Sequence, residues 1–329
     1  MPPFAVLREF SSEPLLAVIA HLEQHGGGAI AVPDPDLGRG RYAGEVFDHG
    51  GQSLVHRSFR TWVDLAERLG LRLLTPRPLA PPMVELRFEP LDRAALLRPA
   101  APDTTERYGA TSEFARIAKS EDPNFVLDLR DALSRVRDLS EIPGAVAPKP
   151  NPGAGWRVLD LGVNTGDELG LLRGLGFAAA DIVGVDHSAS ALAVARARFP
   201  DVTLIEADLG SLPALGLGRF DLVISIGTLQ SPGIDDREVL RRIVQDHLAP
   251  GGAVIIGLPN ARYVDGELEH GTRMKNFRQP ELGLLIKDVA FYRKYLQQHA
   301  MQVFVTGKYE LLITGVPSAE HGSARPRAR

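Results

Sequence analysis

The nine residues from Val158 to Gly166 constrain this chain more than any other stretch. Val158-Leu159-Asp160-Leu161 reads as a strand carrying an acid near its end, and Gly162-Val163-Asn164-Thr165-Gly166 follows as a glycine-bearing turn. A second apolar strand, Asp181 to Val185, ends in Asp186, twenty residues past Gly166. Glycines in such a turn let a nucleotide-like ligand approach the backbone closely. An acid at the tip of the next strand suits the two hydroxyls of a ribose. A third strand, Val202 to Ile205, ends in Glu206-Ala207-Asp208, where Asp208, with Leu209 beside it, is placed to meet an adenine amine. Each acid has a plainer reading as well: Asp186 as a helix cap and Asp208 as a solvated loop group.

Strands continue to alternate with helices beyond this point. They are expected at Arg157–Leu161, Ile182–Asp186, Thr203–Glu206, Leu222–Ser225 and Ala253–Gly257, with a closing pair at Gln302–Thr306 and Tyr309–Thr314 around Gly307-Lys308. Alternation of this kind argues for a parallel, doubly wound sheet of seven strands with crossover helices, closed by a C-terminal antiparallel hairpin. Four segments separate at breaks rich in Pro, Gly and Ala. Residues 1–92 read as a small α+β domain. Its expected helices run from Ser12 to Gln24, capped by Ser11 or Ser12, and from Ser58 to Leu69 with Gly70 past the end. Its expected hairpin runs from Arg41 to Phe47 and from Gln52 to His56. Residues 93–155 read as a helical cap, broken at Asp122-Pro123, followed by a linker. Residues 156–316 carry the sheet, and 317–329 read as a disordered tail.

Composition narrows the chemistry. The 329 residues contain no cysteine, which removes disulfides, thiolate metal sites and every mechanism needing a cysteine nucleophile. The net charge of −4 provides no global basic field for nucleic acid. No apolar run approaches the ~18 residues of a membrane span. Met1-Pro2-Pro3-Phe4 lacks the basic-then-apolar layout of a secretion signal, so a cytoplasmic location is the expectation.

The loop, the acid at Asp186 and the helix start His187-Ser188-Ala189-Ser190-Ala191-Leu192-Ala193-Val194-Ala195 together resemble the class I (Rossmann-like) methyltransferases that use S-adenosylmethionine, over roughly residues 156–260. Phe220 to Gln230 resembles that family's fourth motif, and Leu248-Ala249-Pro250-Gly251-Gly252-Ala253 its turn before the fifth strand. Dinucleotide-binding dehydrogenases share the strand–turn–helix–acid order, but with G-x-G-x-x-G, where this chain has G-x-N-T-G. The family usually has glycine at the place of Asn164, a mild departure, because Asn tolerates positive φ. The resemblance implies Asp160, Gly162, Asn164, Gly166, Asp186, His187, Asp208, Leu209, Ser225 and Ile226 as contacts for S-adenosylmethionine. It implies a doubly wound methyltransferase sheet and transfer of a methyl group to an O or N nucleophile, with no metal required by any spacing.

The acceptor side is less constrained. No Asn/Asp-Pro-Pro-Tyr/Phe motif is present, which lowers base and glutamine N-methylation. The long, charged connection from Tyr263 to Pro280 suits an acceptor-binding lid. In it His270 or Glu267 (with Glu269) is the candidate base, and Arg273 and Lys275, with Arg278, are candidate contacts for an acidic group. Tyr263 and, from the cap, Tyr108 complete the candidate substrate contacts, and the resemblance implies that Tyr108 and Phe114 can stack on the adenine or cover the sulfonium. A small-molecule acceptor leads. RNA, met by Arg39, Arg41, Arg57 and Arg60 of the first domain, and a non-catalytic cofactor-binding regulator are the alternatives.

Overall fold

The computed structural model describes residues 7–37, 41–91, 109–112, 118–140, 155–231, 233–260, 262–264, 267–270, 282–308 and 310–318. Two compact units emerge, Met1–Arg98 with Tyr263–Glu269, and Pro99–Arg262 with His270–Arg329.

The first unit contains β1 (Arg8–Glu9), α1 (Leu15–His25), β2 (Gly28–Pro33), β3 (Val46–His49), β4 (Gln52–Val55), α2 (Phe59–Leu69), β5 (Leu71–Leu73), β6 (Arg77–Pro78) and β7 (Met83–Pro90). One sheet runs β1-β2-β7-β5, with β6 also on β7, and β3–β4 is a separate hairpin. Phe10, Val18, Leu22, Ile30, Trp62, Leu86 and Phe88 form its core. Two expected boundaries shift. Helix α1 begins at Leu15 with Pro14 at the cap and no side-chain capping hydrogen bond, and the Ser12 amide donates instead to the Glu13 carboxylate at 3.1 Å. Strand β3 begins at Val46, not Arg41. The Glu45 amide donates to the Tyr42 carbonyl at 3.0 Å, and the Glu45 carboxylate takes the Arg41 guanidinium and the Tyr42 amide. That local turn competes successfully with a strand.

In the second unit α3 (Pro123–Ser140) precedes the sheet. The break expected at Asp122-Pro123 is the start of this helix: Pro123 fills its first position and the Asp122 carboxylate accepts the Asn124 amide at 2.9 Å. There follow β8 (Val158–Leu161), α4 (Asp167–Gly174), β9 (Ile182–Asp186), α5 (Ala189–Arg198), β10 (Thr203–Glu206), β11 (Phe220–Ile226), α6 (Asp236–Arg242) and β12 (Leu248–Pro259). After the short ladder of β13 (Arg262–Val264) and β14 (Glu267–His270), most of which belongs to the first unit, come α7 (Leu282–Gln298), β15 (Met301–Thr306) and β16 (Glu310–Pro317). The seven-stranded order is β10-β9-β8-β11-β12-β16-β15. Strands β8 to β12 are parallel, and β16 lies antiparallel to both β12 and β15. Strand β12 begins at Leu248, but its ladder to β11 becomes regular only at Ala253. The register shifts where Pro250-Gly251-Gly252 makes the expected reversal.

Successive residues of the central strands serve opposite faces. Leu222, Ile224 and Ile226 join one core with Leu129, Leu133 and Leu192, while Val223 joins the other with Leu212, Tyr292 and Leu296. A sheet buried on both faces explains the near-continuous apolar run Leu222 to Ile226. Strand order reverses between β8 and β11, so the crevice beyond the carboxyl ends of these two strands is where a doubly wound sheet places its ligand. Among the described residues no helix is long and apolar enough to cross a membrane.

Candidate functional site

The turn after β8 is held open by glycine and closed by hydrogen bonds. Gly162 sits at φ +82°, and its amide donates to the Val185 carbonyl at 2.8 Å. A Cβ at Gly162 would collide with the Thr228 side chain, so the turn and the loop after β11 touch at this point. Asn164 takes φ +46°, and its amide donates to Asp186 Oδ2 at 2.9 Å. Gly166, at φ +90°, caps α4 and packs on the Phe199 ring.

Asp186 is 8% exposed, and both its oxygens accept backbone amides, Oδ2 from Asn164 and Oδ1 from Ser188 at 2.8 Å. It therefore braces the turn, while the helix cap itself is Ser188, whose hydroxyl accepts the Ala191 amide. Each carboxylate oxygen retains a second lone pair for a ligand hydroxyl. His187 is more exposed, with Nδ1 3.4 Å from Asp186 Oδ1. The chain ahead of α3 reaches this corner too, since the Ala110 amide donates to Ser190 Oγ at 3.0 Å.

Asp160 is 1% exposed, and its Oδ2 has no hydrogen-bond partner. Burial, with repulsion from the Glu168 and Asp186 carboxylates, drives its pKa well above the usual carboxylate range, although the Lys119 ammonium pulls the other way. Lys119 stands just before α3. Its ammonium pairs with buried Glu168 at 2.9 Å, and its amide donates to Asp167 Oδ2 at 3.0 Å. Burial lowers the Lys119 pKa, but the Glu168, Glu310 and Asp167 carboxylates outweigh this and leave it raised. Arg198 donates to the Thr165 carbonyl at 2.7 Å and to Asp167. The mouth of the crevice thus gathers more carboxylates than cations around one unpaired, buried oxygen.

The remaining expected contacts are spread along the same edge of the sheet. Asp208 caps a short 3-10 turn over Leu209–Leu215 by accepting the Gly210 amide at 2.6 Å, and Leu209 is buried. Ser225 is fully buried and donates to the Leu161 carbonyl at 3.2 Å, which ties β11 to β8. Ile226 is buried in the core. Tyr108, Phe114, Arg273, Lys275 and Arg278 lie outside the described residues. For Tyr263, Glu267, Glu269 and His270 the structure describes only the backbone of β13 and β14. Sequence reasoning missed Lys119 and Glu168, whereas Thr228 and Gln230 lie in the loop from Ser225 to Ser231 that the resemblance implies beside the transferred methyl. Glu168 carried a signal, as an acid just past Gly166 at a helix start. Lys119 carried none, because its place depends on a contact spanning 49 positions.

Residues 158–252 match a family model described as a methyltransferase domain. This segment is a class I methyltransferase domain. The cofactor of that family is S-adenosylmethionine. No curated protein sequence matches the chain at a significant level. Among solved structures, DesVI of Streptomyces venezuelae is similar at 19% identity, over 62% of this chain and 97% of that one, with a TM-score of 0.41. A TehB-like S-adenosylmethionine-dependent methyltransferase of Corynebacterium glutamicum is similar at 19% identity, over 57% and 88%, with a TM-score of 0.35. Magnesium protoporphyrin IX methyltransferase (ChlM) of Synechocystis, with bound S-adenosylhomocysteine, is similar at 15% identity, over 61% and 86%, with a TM-score of 0.37.

The residues of the methyltransferase domain fit that cofactor. A buried carboxyl without a full set of partners is stabilised by a cation, and Asp160 Oδ2 is such a group.

Proposed function

We propose that this protein is an S-adenosylmethionine-dependent methyltransferase acting on an O or N nucleophile of a small molecule. The observation that carries the reading is the buried, partly unpartnered Asp160 carboxyl at the mouth of a glycine-lined turn. S-adenosylmethionine, when bound, supplies a methyl group on cationic sulfur. In this reading Asp160 holds the ammonium of the cofactor, and Asp186 accepts from the ribose hydroxyls with the lone pairs its amide contacts leave. Gly162 and Gly166 supply the positive φ that shapes the turn, with Asn164, His187, Ser225 and Ile226 beside the cofactor. Asp208 and Leu209 border the adenine. The excess of carboxylates favours a cationic ligand over a dinucleotide pyrophosphate. The acceptor's proton is assigned to His270 or Glu267, and acceptor contacts to Tyr108, Tyr263, Arg273 and Lys275, on their place in the sequence alone.

The RNA reading draws less support from the first unit. Arg57 is 5% exposed, with its guanidinium bonded to the Glu13 carbonyl and set over the Trp62 ring, where phosphate does not reach it. Arg41 pairs with Glu45 and Arg60 with Asp64. Calorimetry tests the cofactor directly: S-adenosylhomocysteine should bind in the micromolar range and NAD should not. Tight NAD binding without S-adenosylhomocysteine binding would sink the reading. Labelled S-adenosylmethionine with a cell extract, with and without RNase, then separates small-molecule from RNA acceptors and both from a silent binder.

A further inference from the structure

Gln230 stands in the turn that follows β11, and its side chain is 2% exposed. Neither its amide nitrogen nor its oxygen has a hydrogen-bond partner. A carboxamide offers two donors and a carbonyl acceptor, and leaving such groups buried and unmade costs much more than making them contributes. Both ends of one side chain left open call for an occupant that meets both.

The place of the turn says what that occupant is. The Gly227 amide donates to the Gly257 carbonyl at 3.0 Å, anchoring the start of the turn to β12. The next residue, Thr228, presses against Gly162 of the cofactor turn. The Ser231 amide donates to the Thr228 carbonyl at 2.9 Å and closes the turn around Gln230. Leu229 is buried in the core and fixes the backbone between them. Gln230 is therefore held on a rigid turn at the carboxyl end of β11, beside the point where strand order reverses and ligands of doubly wound sheets bind.

We propose that Gln230 is an acceptor-recognition residue, and that the acceptor presents to it an uncharged group that both gives and takes a hydrogen bond, a hydroxyl or an amide edge. The inference rests on the methyltransferase reading. A charged ammonium or carboxylate would satisfy only one end of the carboxamide and leave the other open. A hydroxyl or amide edge satisfies both. Gln230 has no proton to lose at neutral pH, so it orients the acceptor and leaves deprotonation to another group.

The test uses the full chain and the variant Gln230→Leu, with Gln230→Met as a second variant should the first fail to fold. The probes are S-adenosylhomocysteine, and tritiated S-adenosylmethionine with the low-molecular-mass fraction of a cell extract. The apo variant should melt at the same temperature as the wild type or higher, because open polar groups have been removed from a buried place. Its S-adenosylhomocysteine affinity should stay within about twofold, as for independent sites. Labelling of the small-molecule fraction should fall by at least about tenfold, since losing a hydrogen bond to a polar acceptor group is heavily discriminated. The labelled product should carry a hydroxyl or an amide in addition to its methylated atom, and mass spectrometry of the labelled species distinguishes the two. A variant that melts lower while labelling as well as wild type would make Gln230 structural and overturn the proposal. So would a labelled product with neither group. Wild-type protein that binds S-adenosylhomocysteine but labels nothing would overturn the acceptor assignment. Wild-type protein that fails to bind it would overturn the cofactor reading beneath.

Discussion

Asp160 is held in the folded protein with a pKa well above its ordinary value, chiefly by burial and then by the Glu168 carboxylate. A group raised in this way binds its proton in the native state over a pH range where the unfolded chain has already lost it. Stability therefore falls as pH rises from the ordinary carboxylate value through that of Asp160, and the penalty is complete above it. Two outcomes are expected. Asp160→Asn should raise the thermal midpoint of the ligand-free protein at neutral pH, because a neutral amide removes that penalty. It should also weaken S-adenosylhomocysteine by about tenfold or more, the scale of one hydrogen bond to a charged group. A cation bound at Oδ2 favours the ionised carboxyl, so binding to wild type should release protons below the ligand-free Asp160 pKa, and affinity should rise with pH across that range. Calorimetry in buffers of different ionisation enthalpy reads the proton directly. Equal heats in all buffers, with binding intact, would place the cofactor's ammonium elsewhere.

At the scale of elements, the turn between β8 and α4 was legible in the sequence because its demands are local. Gly162 and Gly166 sit at positive φ, and Asn164 tolerates it. The acid at the end of β9 was legible too, but its double role was not. Amide donors from Asn164 and Ser188 brace Asp186 through contacts that exist only once β8 and β9 pair. Strand β3 was misjudged at its start because the Glu45 side chain makes a turn that apolar patterning does not encode. Replacing Gly162 with Ala should destabilise the protein by roughly 1–3 kcal/mol for the backbone conformation alone, and further through the collision with Thr228. Thr228→Ala in the same molecule should recover the steric part but not the backbone part. Denaturant titration of the two single variants and the double separates the contributions. A fully additive cycle would mean that the turn yields without pressing on Thr228.

At the scale of the whole molecule, the second unit holds its sheet between two apolar layers, and the first unit has its own core around Trp62, Leu22 and Phe88. The parallel sheet was readable because a strand buried on both faces is apolar throughout, as from Leu222 to Ile226. Lys119 over Glu168 was not readable, since no periodicity joins residues that meet only after a helix and a strand are laid down. Hydrogen exchange in the presence of S-adenosylhomocysteine should slow in peptides spanning Leu161–Asp167 and Val185–Ser190. Exchange in α1 and β2 should not change. Slowing confined to α1 and β2 would move the cofactor to the first unit.

Helix α5 turns Ala191, Leu192 and Ala195 inward and leaves Val194 37% exposed, about two turns of chain beyond the Asp186 brace. The chain has no thiol of its own, so Val194→Cys would give a single attachment point for a fluorophore. A dye there would turn the quiet bracing of a loop into an optical signal, and the arrival of a ligand could be followed in real time without any knowledge of what the methyl group is finally given to.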